Sequence, residues 1–243
     1  MNKFPAEFAD LLTAKGRRIL EGRDSALRGA LLQPERYFVA VRGAIDPAKA
    51  RAAHALLDRR MLKTLRPLAA AIPPGSIANQ TRNYQERLPK TARARTAFLE
   101  RRTGAAWETA ERIGLIAMMR SGSFRGFAEA VAGRALDPKF GQQVLCYGPG
   151  DYAGPHTDHH PEDPRAAGGY IDLHVSFGSP GAARQYLVYA RDGHFSEMVD
   201  VNIAGGITVY RLPFWHYTTP LTPRAGHARS ARRWVVLGTF LFS

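Results

Sequence analysis

The chain has 243 residues, 45% of them hydrophobic and 23% charged, a globular composition that excludes a disordered polypeptide and is long enough for one large domain. Its longest apolar stretches, residues 68–72 and 234–242, are far shorter than a membrane span, and a lone Cys146 excludes an internal disulfide or a cysteine-rich zinc site. The formal net charge is +13; 25 Lys+Arg face 12 Asp+Glu up to Ala135 and 9 face 9 from Leu136 on, so the basic excess lies entirely in the first half.

That excess reads either as a face that gathers an anionic substrate or partner, or as an arginine-rich solvated helical surface. Aromatic residues are not interleaved with the basic ones as a single-strand binder requires, so nucleic acid is not the favoured partner. Acidic Glu7 and Asp10 stand where a signal peptide would have its apolar core, so no secretion signal and no membrane association are expected, and the cytoplasm is the default compartment. Cys146 lies in the apolar run 144–147 and reads as a buried structural thiol.

In chain order, residues 5–29 carry Phe8, Leu11, Leu12, Leu20 and Leu27 broadly at helical spacing, closed by Pro34. Residues 37–42 are rich in β-formers and predict one strand. Asp46-Pro47 is an N-cap followed by proline at the first helical position. The helix it opens carries Ala50, Ala53, Leu56, Leu57, Met61 and Leu65 and ends before Pro73-Pro74. Residues 75–89 have too few apolar positions to assign. Residues 91–119 predict a long helix and 121–136 a shorter one. After Leu136 the period changes: strands are expected near 144–147, 170–177, 185–190, 195–202, 207–212 and 234–242, with Asp192-Gly193 as a hairpin turn. The organisation predicted is a mostly helical support region, 1–135, with one strand near 37–42, and a β core, 136–243, in one integrated domain. Short strands at close spacing point to a sandwich or barrel rather than alternating β-α units.

The densest candidate site is 148–160, Gly-Pro-Gly-Asp-Tyr-Ala-Gly-Pro-His-Thr-Asp-His-His. In extended backbone, residues two apart share a side, so His156 and Asp158 can converge on one metal. With a second, distant histidine such a pair forms a facial triad that leaves open positions on iron(II). His216 ends the apolar run 205–216 and precedes Thr-Thr-Pro; His227, among Gly, Ala and Arg, is the alternative. Arg232 and Arg233 open the last strand and have opposite faces. His159 and His160 read as loop residues near a substrate entrance, and His194 and His54 as residues without a metal role. Asp172 and His174 share a strand face, either a pocket wall or a surface.

The order of these features resembles the 2-oxoglutarate/Fe(II)-dependent dioxygenase superfamily, the prolyl-hydroxylase-like kind. Residues 142–242 follow its pattern, with Tyr147, His156, Asp158, His216, Pro220 and Arg233 in the matching places. The stretch from His216 to Arg233 is longer than the pattern, as if residues 224–231 were an inserted hairpin loop. The resemblance implies a mainly β fold, a double-stranded β-helix (jelly roll) buttressed by N-terminal helices. It implies Fe(II) on His156, Asp158 and His216, with 2-oxoglutarate anchored by Arg233 (alternatively Arg232) and Tyr147. It further implies an O2-dependent enzyme that hydroxylates a small molecule or a protein side chain; Asp158, a metal carboxylate, argues against halogenation. Rival expectations are a demethylase of nucleic acid in the same superfamily, a cupin-like metal binder without 2-oxoglutarate chemistry, and a zinc hydrolase, for which no convincing general base is present.

Overall fold

The strand Tyr170–Gly178 (YIDLHVSFG) shows in one segment how the sequence builds the fold. Its odd members Ile171, Leu173, Val175 and Phe177 are fully buried in the main hydrophobic core. Its even members Tyr170, Asp172, His174 and Ser176 therefore point to the opposite side, because side chains alternate across a strand. One face is oil and the other is chemistry.

The structure is a computed structural model that describes residues 1–70, 92–137, 141–158, 168–191, 194–202 and 204–243. Its strands are β1 (Phe38–Val41), β2 (Arg66–Ala70), β3 (Ala92–Phe98), β4 (Leu136–Asp137), β5 (Gln142–Tyr147), β6 (Tyr152–His156), β7 (Tyr170–Gly178), β8 (Ala182–Arg184), β9 (Tyr186–Arg191), β10 (His194–Asp200), β11 (Gly206–Leu212), β12 (His216–Thr218), β13 (Thr222–Pro223) and β14 (Arg233–Phe242). They form a nearly closed antiparallel sheet in the order β1-β11-β7-β14-β5-β3-β6-β12-β9-β10, with β2 and β4 attached to β3 and β14 and the pair β8-β13 apart. This is a jelly-roll core.

Helices α1 (Ala14–Leu20), α2 (Pro47–Arg60), α3 (Ala105–Arg112), α4 (Leu115–Met119) and α5 (Gly122–Ala132) belong to the first half. The main core lies between them and the outer faces of β5, β7, β11 and β14, and it includes Phe8, Phe124, Phe127, Phe177 and Trp234. Each such side chain, fully buried, stabilises the fold by roughly 1.5–3 kcal/mol. Two smaller apolar clusters occupy the barrel interior, one with Tyr170, Tyr210, Leu212 and Phe214, the other with Tyr147, Leu221, Val235 and Leu237. No helix among the described residues is long and apolar enough to cross a membrane.

The Asp46 cap forms as expected: its Oδ1 accepts from the amides of Ala48 and Lys49 at 2.9 and 3.0 Å. The shorter helix expected over 121–136 also forms, as α5, but the other helical expectations need correction. Residues 5–29 are not one helix but a 3-10 turn, Phe8–Leu11, and a short α1 that Thr13 caps. The helix opened by Pro47 stops at Arg60, and Arg66–Ala70 is strand. The expected helix over 91–119 begins instead with β3, Ala-Arg-Ala-Arg-Thr-Ala-Phe, in which Ala92 and Ala94 are buried and Arg93 and Arg95 exposed. Alanine and arginine are strong helix formers, but here pairing with β5 and β6 on one side and β2 on the other overrides propensity. Among the described residues, the first half thus adds three strands to the sheet, not one. The strands expected after Leu136 all form; Asp192-Gly193 lies outside the described residues, but Arg191 and His194 on either side pair antiparallel. Residues 75–89 also lie outside them.

Ser121 joins two layers. Its Oγ caps α5 by accepting from Phe124 N–H at 3.2 Å, also accepts from Phe8 N–H at 3.2 Å, and donates to Met118 O at 2.7 Å. Ser121→Ala orphans two buried amides, so a loss of about 2 kcal/mol is expected. A urea titration should show it as a lower midpoint with unchanged slope.

Candidate metal centre and active site

Three ligand-bearing side chains converge inside the barrel. His156 ends β6, His216 opens β12, and the two are direct cross-strand partners. Asp158 follows two residues after β6. Its carboxylate Oδ2 lies 3.3 Å from His156 Nε2 and 3.5 Å from His216 Nε2, and ligand atoms of all three lie within 4.8 Å of one another. The convergence does not come from an extended backbone, as the sequence suggested. The strand ends at His156, and Asp158 takes a left-handed conformation, φ 54°. Aspartate tolerates that region better than most residues, and the turn swings its carboxylate back toward the imidazoles.

The histidine rings are held from behind. His156 Nδ1 lies 2.5 Å from Gly154 O and His216 Nδ1 lies 2.9 Å from Phe214 O. A carbonyl can only accept, so each Nδ1 carries the proton and each Nε2 lone pair is left for a metal. Phe214 also stacks on the His216 ring, centroids 4.6 Å apart at 27°. Donor separations of 3.3 and 3.5 Å are near the roughly 3 Å between adjacent corners of an octahedron with ~2.1 Å bonds, and the donor set is that of a two-histidine, one-carboxylate facial triad. The residues fit such an ion.

Arg233, the first residue of β14, enters the same interior. It is 2% exposed. Its Nε and one terminal nitrogen donate to Ser176 Oγ at 3.2 and 3.0 Å, and the other donates to Gln185 Oε1 at 3.1 Å. No carboxylate of the described residues lies within ion-pairing distance of it. Burial pulls this guanidinium below its ordinary pKa, the sign of a cation that lacks a counter-ion. Tyr147 is its cross-strand partner on β5, with the guanidinium 5.5 Å from the ring centre. Arg232 turns the other way, onto α2, where it bonds Asp58 at 3.2 Å. Of the two arginines, only Arg233 faces the barrel.

His227 sits in an exposed turn with its Nδ1 3.2 Å from Ser230 Oγ, away from the triad. His159 and His160 lie outside the described residues. Asp172 is buried on the barrel side of β7; His174 Nε2 lies 3.6 Å from its Oδ2, too long for a hydrogen bond, and Asp172 Oδ1 has no hydrogen-bond partner. Burial lowers the His174 pKa, and the neighbouring Asp172 opposes that shift. Cys146 is a buried free thiol whose pKa burial raises far above the ordinary range, which leaves it no nucleophilic role.

Sequence reasoning missed Ser176, Gln185 and Asp58. Ser176 could have been found, since it lies on the period-two face of Asp172 and His174. Gln185 lies between two strands and carried no signal. Asp58, on α2, accepts from Trp234 Nε1 at 2.6 Å as well as from Arg232, and so fixes both neighbours of Arg233 from the helix side. Asp58→Asn keeps an acceptor for the indole but sets an amide against Arg232. A drop in thermal midpoint of a few degrees is expected, read by differential scanning calorimetry.

Neither a family model nor a characterised protein sequence matches the chain. Solved structures do. A prolyl-4-hydroxylase of Pseudomonas putida superposes with a TM-score of 0.50 at 17% identity, over 93% of this chain and 99% of that one. The non-heme alpha-ketoglutarate-dependent carbocyclase SnoK from nogalamycin biosynthesis gives 0.53 at 12%, over 96% and 85%. The epimerase SnoN of the same biosynthesis gives 0.51 at 15%, over 94% and 84%. The chain has the fold of these oxygenases. At such identities the likeness extends to the fold, and the chemistry has to be argued from the residues above.

Proposed function

We propose that the chain is a non-haem Fe(II) enzyme dependent on 2-oxoglutarate and O2, and that it oxidises a C–H bond of a small molecule or a protein side chain. One observation carries this reading. A buried arginine without a counter-ion among the described residues and a His-Asp-His cluster face the same barrel interior, so a dianion with one carboxylate at each is the ligand this interior is built to complete. His156, Asp158 and His216 would hold the metal, their ring tautomers set by Gly154 O and Phe214 O. When bound, iron(II) and 2-oxoglutarate supply O2 activation coupled to oxidative decarboxylation of the cosubstrate.

The protein's own part is orientation and exclusion of water. Ser176 and Gln185 fix the guanidinium plane of Arg233, so its remaining donor edge is presented in one orientation, as bidentate recognition of a carboxylate requires. The Tyr147 hydroxyl would be a second donor to that carboxylate. The two apolar clusters that flank the polar band keep its dielectric low, which strengthens each of these contacts. The test is product formation. Purified protein with Fe(II), 2-oxoglutarate and O2 should release succinate even without a prime substrate, at a low uncoupled rate. No succinate above a His156→Ala control would sink the reading.

A further inference from the structure

Beside the metal cluster lies a second feature that no step above uses. A cavity of about 570 Å³ opens between the segment leading into β1 and the end of β9, lined by residues 33–40 with Tyr189 and Arg191. That volume lies within the range of small-molecule sites. Its wall is aromatic. Phe38 and Tyr189 meet at 4.3 Å, edge to face, and Tyr37, 36% exposed, stacks on Phe214 at 5.8 Å and 20°. Phe214 in turn stacks on His216, and Tyr189 is the cross-strand partner of His216 on β9. From the cavity, Tyr37 and then Phe214 lead to His216, so two stacked rings separate it from the triad.

Its charges are unequal. Arg36, half-buried, has no carboxylate within ion-pairing distance among the described residues. Arg191 is shared between Glu35 and Glu197 at 3.8 and 3.7 Å, and the Glu35 side chain is 85% exposed, so water screens it. Flat rings beside guanidinium groups recognise a flat apolar body that ends in an anion.

We propose that this cavity is a ligand site separate from the triad and that it takes a small aromatic carboxylate, its ring against Phe38 and Tyr189 and its acid group on Arg36. The test is isothermal titration of the metal-free full chain with 3-phenylpropionate and with its neutral amide. The acid should bind roughly tenfold more tightly than the amide, as for one charge-assisted hydrogen bond. Arg36→Gln should erase that preference, and Tyr189→Leu should weaken both ligands alike. Equal binding of acid and amide, no binding of either, or an unchanged preference in Arg36→Gln overturns the proposal; Arg36→Met serves in its place if Arg36→Gln does not fold. Succinate release measured on the same preparation separates the two readings: with succinate formed and no acid preference, only the cavity assignment fails.

Discussion

Asp158→Asn should weaken Fe(II) binding by about a hundredfold or more while the fold survives. The carboxylate Oδ2 stands between two Nε2 atoms at 3.3 and 3.5 Å, so it is the one anionic donor of the cluster. An amide oxygen keeps the shape and removes the charge, and two imidazoles alone are a weak site for a hard divalent ion. Asparagine also tolerates the left-handed φ of 54°. Asp158→Ala should lose metal equally and carry in addition about 1 kcal/mol of backbone strain. Anaerobic metal titration reads the first effect and thermal melting the second. Wild-type affinity in either variant would mean that the cluster is not the metal site.

Arg233→Met should raise the dissociation constant for 2-oxoglutarate by roughly a hundredfold, about 2.7 kcal/mol, with Fe(II) affinity unchanged. The stability change has a different sign structure from that of an ordinary buried ion pair. Removing one partner of such a pair strands a charge and costs about 3–5 kcal/mol. Here no acidic partner exists to strand among the described residues. The losses are the hydrogen bonds to Ser176 and Gln185, set against relief from burying an uncompensated cation, so the net change should stay within about 2 kcal/mol. Calorimetric titration with 2-oxoglutarate and a denaturant curve separate the two. Intact cosubstrate binding would remove Arg233 from the account.

Much of the β core was legible because its period is two and its turn residues are strong. Ile171, Leu173, Val175 and Phe177 alternate with Asp172, His174 and Ser176, and that alone sorts core from interior. His156 and Asp158 were legible by spacing, although the reason turned out to be a left-handed turn rather than a pleat. His216 was legible from its apolar flanks, which place it opposite His156 in β12. The first half was read less well. Ala92, Ala94 and Ala97 bury too little surface to signal a strand, and their arginine neighbours favour a helix on propensity. Only the partners β2, β5 and β6, remote in sequence, make that segment extended. The contacts of Arg233 were hidden for the same reason: Ser176 and Gln185 lie 57 and 48 residues away, and no local pattern reports a long-range hydrogen bond. Arg232 and Arg233 could be separated only once Asp58 was seen to hold the former.

The central claim is that one barrel interior holds a metal triad and a carboxylate anchor for the same cosubstrate. The most direct test is the visible spectrum of the purified protein, recorded anaerobically with Fe(II) and then with 2-oxoglutarate. A weak charge-transfer band that appears only with both present, and is absent in Asp158→Asn and in Arg233→Met at the same concentrations, is the result predicted. Metal demonstrably bound with no band at any 2-oxoglutarate concentration would contradict it, leaving a metal-binding jelly roll whose chemistry lies elsewhere.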